Sequence, residues 1–262
     1  MTIRTLIPTC DKHMFVIKAF SHFYNKYWED APPVTILGFA EPEFELPENF
    51  TFHKMADSQM GGAKGWSNYI RKYVSEMQED RFIFGIDDFC ICRPVDVDLY
   101  ERLLDLDDPN IGRIDLQPSF QYSRDRTDLT IVESFDDYDL VALAQRSTRE
   151  FIYRITGQFS IWNRDYFLKY LEPDMSPHDW ELNGGMKAEN DGHQILGTLR
   201  RHCIKKVELV SDKQYPGKIN HMGMRPEDKE AVKEIYRDQG MEIGDFKEEY
   251  PFPNWEDIVY GS

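Results

Sequence analysis

No apolar run in this 262-residue chain approaches the roughly 20 residues that a bilayer-spanning helix needs; its longest apolar stretches are short and strand-like. The opening residues, Met1-Thr2-Ile3-Arg4-Thr5-Leu6-Ile7-Pro8, also lack the basic start, long apolar middle and small-residue cleavage site of a secretory signal. A soluble protein in the cytoplasm is the expectation. Cysteine is scarce. Cys10, Cys90, Cys92 and Cys203 include no CxxC pair, which removes the usual signature of a structural zinc site. Cys90 and Cys92 lie two apart in Phe89-Cys90-Ile91-Cys92 and share a face if that stretch is a strand, so they read as reduced, small core residues. Positive charge is in deficit, with 31 Lys and Arg against 47 Asp and Glu, a net charge of −16 and no dense basic run. Such a field repels nucleic acid and anionic lipid. A nucleotide would have to be held locally, by a metal ion, by backbone N–H groups or by a few cations. Internal repeats, low-complexity tracts and clear linkers are absent, which predicts a single domain over residues 1–262.

What is present alternates between two periodicities. Residues 3–8 read as a strand, and Thr9-Cys10-Asp11 as a turn with Asp11 placed to cap a helix. That helix has the strongest pattern in the chain, with Phe15, Val16, Ala19, Phe20, Phe23, Tyr24 and Tyr27 on one face. Pro32-Pro33 ends the unit; strands follow at 34–39 and 50–55, then a Gly-rich turn at 61–65, a helix from Trp66 and a strand over 81–86. Beyond Pro94 the pattern predicts a helix at 97–106, a strand at 111–116, a polar loop at 123–128, strands at 139–145 and 151–162, and helices at 165–171 and 188–201. A strand at 205–210 and a helix at 226–238, with Pro at its permitted first turn, close the series. Strands alternating with helices predict a mostly parallel sheet, whose ligands bind outside the carboxyl ends of its strands.

One such strand, Arg81-Phe82-Ile83-Phe84-Gly85-Ile86, runs directly into Asp87-Asp88. Adjacent carboxylates facing a diphosphate can share a divalent cation, Mg²⁺ or Mn²⁺, which offsets their mutual repulsion. Asp-Asp is otherwise a common solvated turn in an acidic chain. The segment Ile86-Asp87-Asp88-Phe89, with Arg93-Pro94-Val95-Asp96 after it, resembles the acidic metal-binding segment of the GT-A glycosyltransferases, usually written DXD. The likeness extends to Leu6-Ile7-Pro8-Thr9-Cys10-Asp11, which is similar to that family's first strand and nucleotide-contacting loop. It covers most of the chain discontinuously.

The resemblance implies an α/β fold of GT-A, Rossmann-like type, with a mixed, mostly parallel sheet flanked by helices. A nucleotide-sugar-binding half would span residues 1–117 and an acceptor-binding half 118–262. It further implies donor-site roles for Thr9, Asp11, Asp57, Lys64, Trp66, Asp87 and Lys218, and metal ligation by Asp88, Asp87 and His221 from the loop Tyr215-Pro216-Gly217-Lys218-Ile219-Asn220-His221. Thr9 and Asp11 serve equally as turn residue and helix cap, and Trp66 as core. The P-loop pattern GxxxxGK[ST] is absent. Gly157-Gln158-Phe159-Ser160-Ile161-Trp162 and Ser176-Pro177-His178-Asp179-Trp180-Glu181-Leu182 resemble acceptor-side segments of bacterial and viral glycosyltransferases, with Gln158, Trp162 and Trp180 as acceptor contacts, although aromatic residues beside strands more often pack in the core. An inverting transfer needs a base for the acceptor hydroxyl. Glu181 is the preferred candidate and Asp179 the other, each able instead to cap a helix. His193 falls within the helix predicted at 188–201 and reads as structural. The expected reaction moves a sugar from a nucleoside diphosphate to a hydroxyl acceptor, a glycan. A nucleotidyltransferase, for which no Gly-rich N-terminal signature is found, and a noncatalytic carbohydrate-binding or assembly protein are the alternatives.

Overall fold

The computed structural model describes residues 3–117, 129–146, 153–209 and 224–241. Its strands are β1 Thr5–Pro8, β2 Val34–Gly38, β3 Phe50–Lys54, β4 Arg81–Phe84, β5 Phe89–Ile91, β6 Ile111–Asp115, β7 Leu129–Ser134, β8 Asp139–Leu143, β9 Ser160–Asn163, β10 Gln194–Leu199 and β11 Lys206–Glu208. Nine of them form one mixed sheet in the order β3-β2-β1-β4-β9-β6-β10-β8-β7, and β5 pairs separately with β11. Seven strands of the large sheet run in one direction, with only β8 and β9 reversed. Strands covered on both faces should be apolar throughout rather than alternating. Accordingly β1, β2 and β6 are buried at every position, whereas the edge strand β7 is exposed along nearly its whole length.

The helices are α1 Met14–Tyr27, α2 Trp66–Glu76, α3 Val97–Leu104, α4 Arg164–Tyr170, the short turns α5 Pro177–Asp179 and α6 Gly185–Lys187, and α7 Pro226–Arg237. The aromatic stripe predicted for α1 is its buried face, with Phe20, Phe23 and Tyr24 fully enclosed. α1 packs with β5 and α7, while α2 packs with α4. None of the described helices is long and apolar enough to cross a membrane.

Four readings of the sequence are corrected. Residues 188–201 are not a helix: Asn190 and Gly192 take positive φ values of 55° and 84°, and β10 pairs on both sides, with β6 and β8. The spacing of Ala188, Ile195, Leu196 and Leu199 imitates a helical face, but the sheet captures the apolar run. His193 accordingly precedes a strand rather than lying in a helix. The strand predicted at 151–162 is confined to β9; residues 153–159 are irregular, and 151–152 lie outside the described residues, as does the loop predicted at 123–128. Asp11 does not cap α1. It opens a 3-10 turn, Asp11–His13, and its Oδ1 accepts a hydrogen bond from the Ala40 backbone N–H at 3.0 Å. The edge strand β7 and the helical turns from Pro177 to Lys187 were not anticipated.

α7 is fastened to α1 through Asp228, whose fully buried carboxylate accepts from Lys26 Nζ and from the Tyr27 hydroxyl, both at 2.5 Å. Removing a buried acceptor strands its donors. Asp228→Ala should therefore lower the unfolding free energy by about 2–3 kcal/mol, read from the urea midpoint.

Candidate functional site

From the carboxyl end of β1 the chain builds β2 and β3 to one side, then returns through α2 and lays β4 on the other side of β1. The connections leaving neighbouring parallel strands therefore diverge, and such a switch point is where α/β sheets generally place a ligand crevice. Thr9 follows β1 and Asp87 follows β4. They meet at this switch point, the Thr9 hydroxyl donating to Asp87 Oδ2 at 2.6 Å. His13 Nδ1, at the start of α1, stands 3.5 Å from the same oxygen. The hydrogen bond to Asp87 is the largest influence on this imidazole and raises its pKa above the ordinary 6.5, against the opposing effect of burial. Asp88 comes next, its backbone carbonyl accepting from the Leu209 N–H at 2.5 Å, so the end of the β5–β11 ribbon is tied to the acidic pair.

The reversed strand β9 lies between β4 and β6, so its beginning reaches the same edge of the sheet, with Ser160 opposite both Phe84 and Asp115. The segment before it carries Thr156, Gly157 and Gln158. A Cβ on Gly157 would stand 2.9 Å from Ile86 Cγ2, and one on Gly85 2.8 Å from the Phe159 ring, so glycine at both positions lets this segment close on the acidic loop. Glu181 approaches from a π turn, Trp180–Gly184, and its Oε1 accepts from Thr156 Oγ1 at 2.9 Å and from the Gly157 N–H at 2.7 Å. π turns interrupt a helix and frequently carry functional side chains.

The two candidate bases are thus separated by their bonding. Asp179 Oδ2 accepts from the Ser176 N–H and hydroxyl at 3.1 and 2.7 Å, while Ser176 Oγ accepts from the Asp179 N–H, a reciprocal capping box. The Ser176 hydroxyl bond is the main reason that the Asp179 carboxyl lies below its usual range. Its oxygen is engaged in closing a helix end.

Trp162 and Trp180 do not offer faces to a sugar. They are 0% and 1% exposed and pack on one another and on Phe167, with ring centroids 5.0–5.5 Å apart. Trp66, half-buried, packs against them with its ring 5.7 Å from Trp180. Gln158 Oε1 accepts from Gln117 Nε2 at 2.7 Å and from Lys206 Nζ. Asp57 is almost fully exposed and pairs with Lys54 at 2.8 Å, and Lys64 lies exposed on the Gly62–Gly65 turn, within electrostatic range of Asp179. Lys218 and His221 lie outside the described residues. Among the described residues no three or more His, Cys, Asp or Glu side chains gather into a metal cluster.

Sequence reasoning passed over His13, Thr156, Asp115, Gln117 and Lys206. Asp115 and Gln117 flank the end of β6, where a buried Arg113 interrupts the apolar pattern that singled out Asp87. Nothing local marks Thr156.

No protein-family model and no curated protein matches this chain in sequence. Solved structures do. The chain is similar in fold to glycosyltransferases. One is a mannosyltransferase from Pyrobaculum calidifontis in complex with GDP-Man and Mn²⁺, at 14% identity and a TM-score of 0.46, covering 82% of this chain and 58% of that one. Another is an active-site mutant of LgtC, at 8% identity and 0.43, covering 74% and 72%. A third is the bifunctional glycosyltransferase WbbM without ligand, at 9% and 0.42, covering 74% and 38%. This chain thus spans well under two thirds of the length of the first and third.

Thr9→Val keeps the side-chain shape but deprives a buried carboxylate of its donor. It should cost about 1.5–3 kcal/mol of stability in urea, with Thr9→Ser costing much less. His13, with its folded pKa raised, contributes stability that is complete below pH 6.5 and is lost as pH rises through the folded value. Unfolding curves in EDTA at a series of pH values should show that dependence in the native protein and its loss in Asp87→Asn.

Proposed function

We propose that this protein is a glycosyltransferase that holds a nucleoside-diphosphate sugar in the β1–β4 crevice and transfers the sugar, with inversion, to a hydroxyl of a glycan acceptor. The observation that carries this reading is the meeting of Thr9 and Asp87 at the switch point, with the carboxylate of Glu181 held by the loop that closes on the same acidic segment. An anion-binding crevice and a carboxylate base on its far wall are what displacement of a diphosphate by a hydroxyl requires.

Asp87 and Asp88 provide adjacent hard oxygen ligands, which fits Mn²⁺ or Mg²⁺ taking its remaining ligands from diphosphate and water. Bound there, such a cation supplies charge neutralisation for the departing nucleotide. The chain's own residues do the rest. Thr9 and His13 fix the Asp87 carboxylate, and α1 begins beside it. Lys218 and His221 are proposed as further donor-side contacts. Asp88 is assigned to metal, Asp87 to metal and ribose, Gln158 to the acceptor, and Glu181 to removal of the acceptor proton. Burial of Trp162 and Trp180 removes the aromatic platforms on which a purely carbohydrate-binding role would depend.

Thermal unfolding with UDP, GDP, dTDP and CMP compounds, in Mn²⁺, Mg²⁺ or EDTA, tests the donor site. A cognate nucleotide at 100 times its Kd should stabilise the protein by about 2.7 kcal/mol, and Asp88→Ala should abolish the metal-dependent part. A folded protein that responds to none of them would sink the proposal. Glu181→Gln should retain the nucleotide response while transfer falls by about 10²–10⁴-fold.

A further inference from the structure

The segment 153–159 is irregular backbone at the heart of the molecule, and it is secured by side chains rather than by a strand ladder. Arg154, fully buried, donates to the carbonyls of Ala188, Ala144 and His193 at 2.8–3.0 Å and to Asp191 Oδ1 at 3.0 Å. Arg113, 1% exposed, donates to the Tyr153 carbonyl at 3.3 Å. Buried irregular backbone persists only where its polar groups are satisfied in this way.

This fixed segment presents two donors to a single atom. Thr156 Oγ1 and the Gly157 N–H both reach Glu181 Oε1, at 2.9 and 2.7 Å. The Thr156 hydroxyl has one hydrogen, and its oxygen also accepts from the Gln158 N–H at 3.3 Å, which orients that hydrogen toward Glu181. A carboxylate with one oxygen held by two donors cannot turn about its terminal bond without losing both. Oε2 has no hydrogen-bond partner among the described residues.

We propose that Thr156 is a positioning residue: it pins Oε1 of Glu181 so that Oε2 is presented to the acceptor hydroxyl. This rests on the reading of Glu181 as the base. In the step so served, the acceptor O–H proton passes to Oε2 as the acceptor oxygen bonds to the anomeric carbon. The bond from that carbon to the diphosphate breaks, and its electron pair leaves with the nucleoside diphosphate. The arrangement separates the two carboxylate oxygens by role, one for alignment and one for proton removal.

The test compares Thr156→Val with Thr156→Ser, using the donor identified by thermal shift. Thr156→Val should lower kcat by about 10–100-fold, the scale expected when a reacting group loses its alignment. The donor KM and the nucleotide-induced thermal shift should stay within twofold of native, and Thr156→Ser should restore kcat to within a few fold. Should the valine variant not fold, Thr156→Ala takes its place in the same comparison. A native kcat in the hydroxyl-free variant, or equal losses in the valine and serine variants, overturns the proposal. Glu181→Gln is measured alongside: if it transfers sugar at the native rate, the base reading itself fails, whereas an inactive Glu181→Gln beside a fully active Thr156→Val refutes only the positioning role.

Discussion

The bond between Thr9 and Asp87 joins residues 78 apart in sequence and holds an almost buried carboxylate at the end of a parallel strand pair. A carboxylate taken out of water is costly unless hydrogen bonds replace its hydration. Here the threonine hydroxyl does so, with the His13 imidazole close by. Both partners depend on register. Leu6 lies opposite Phe84, so the residues leaving β1 and β4 emerge level with one another. A one-residue slip would exchange the two covered faces of either strand and separate Thr9 from Asp87. The site is therefore as stable as the pairing of these two strands.

The opposite wall is built on different physics. β9 is inserted in reverse between β4 and β6, and the irregular segment leading into it is fixed by buried arginines. Behind it, Trp162, Trp180, Phe84 and Phe167 fill the space beneath the sheet edge. Large aromatic rings bury much area at little conformational cost, which makes them a stiff support for the π turn carrying Glu181. Their contribution to the site is rigidity rather than contact with a ligand.

Charge is used economically in a chain of net −16. Several arginines serve structure: Arg154 and Arg113 fix the 153–159 segment, and Arg201 gathers Asp96, Asp98 and Asp137. The acidic excess is partly absorbed in such pairs. Near the acidic pair the basic groups are placed singly, His13 beside Asp87 and Lys206 beside Gln158.

The sequence by itself determined the alternation of strands and helices through the first half, the buried stripe of α1 and the acidic pair at the end of β4. Each is a local pattern whose period or neighbours declare it. It ranked Glu181 above Asp179 only through resemblance, because the capping box that occupies Asp179 depends on the helical turn at Pro177, which the sequence reading did not include. Residues 188–201 misled because an apolar run of that spacing serves either a helix face or a central strand, and the choice fell to β6 and β8. Trp162 and Trp180 admitted both a sugar platform and a core role, because an indole suits either and burial is a property of the whole fold. Thr156 was invisible for the same reason. Its meaning comes from a carboxylate 25 residues away, brought within 2.9 Å by tertiary structure alone.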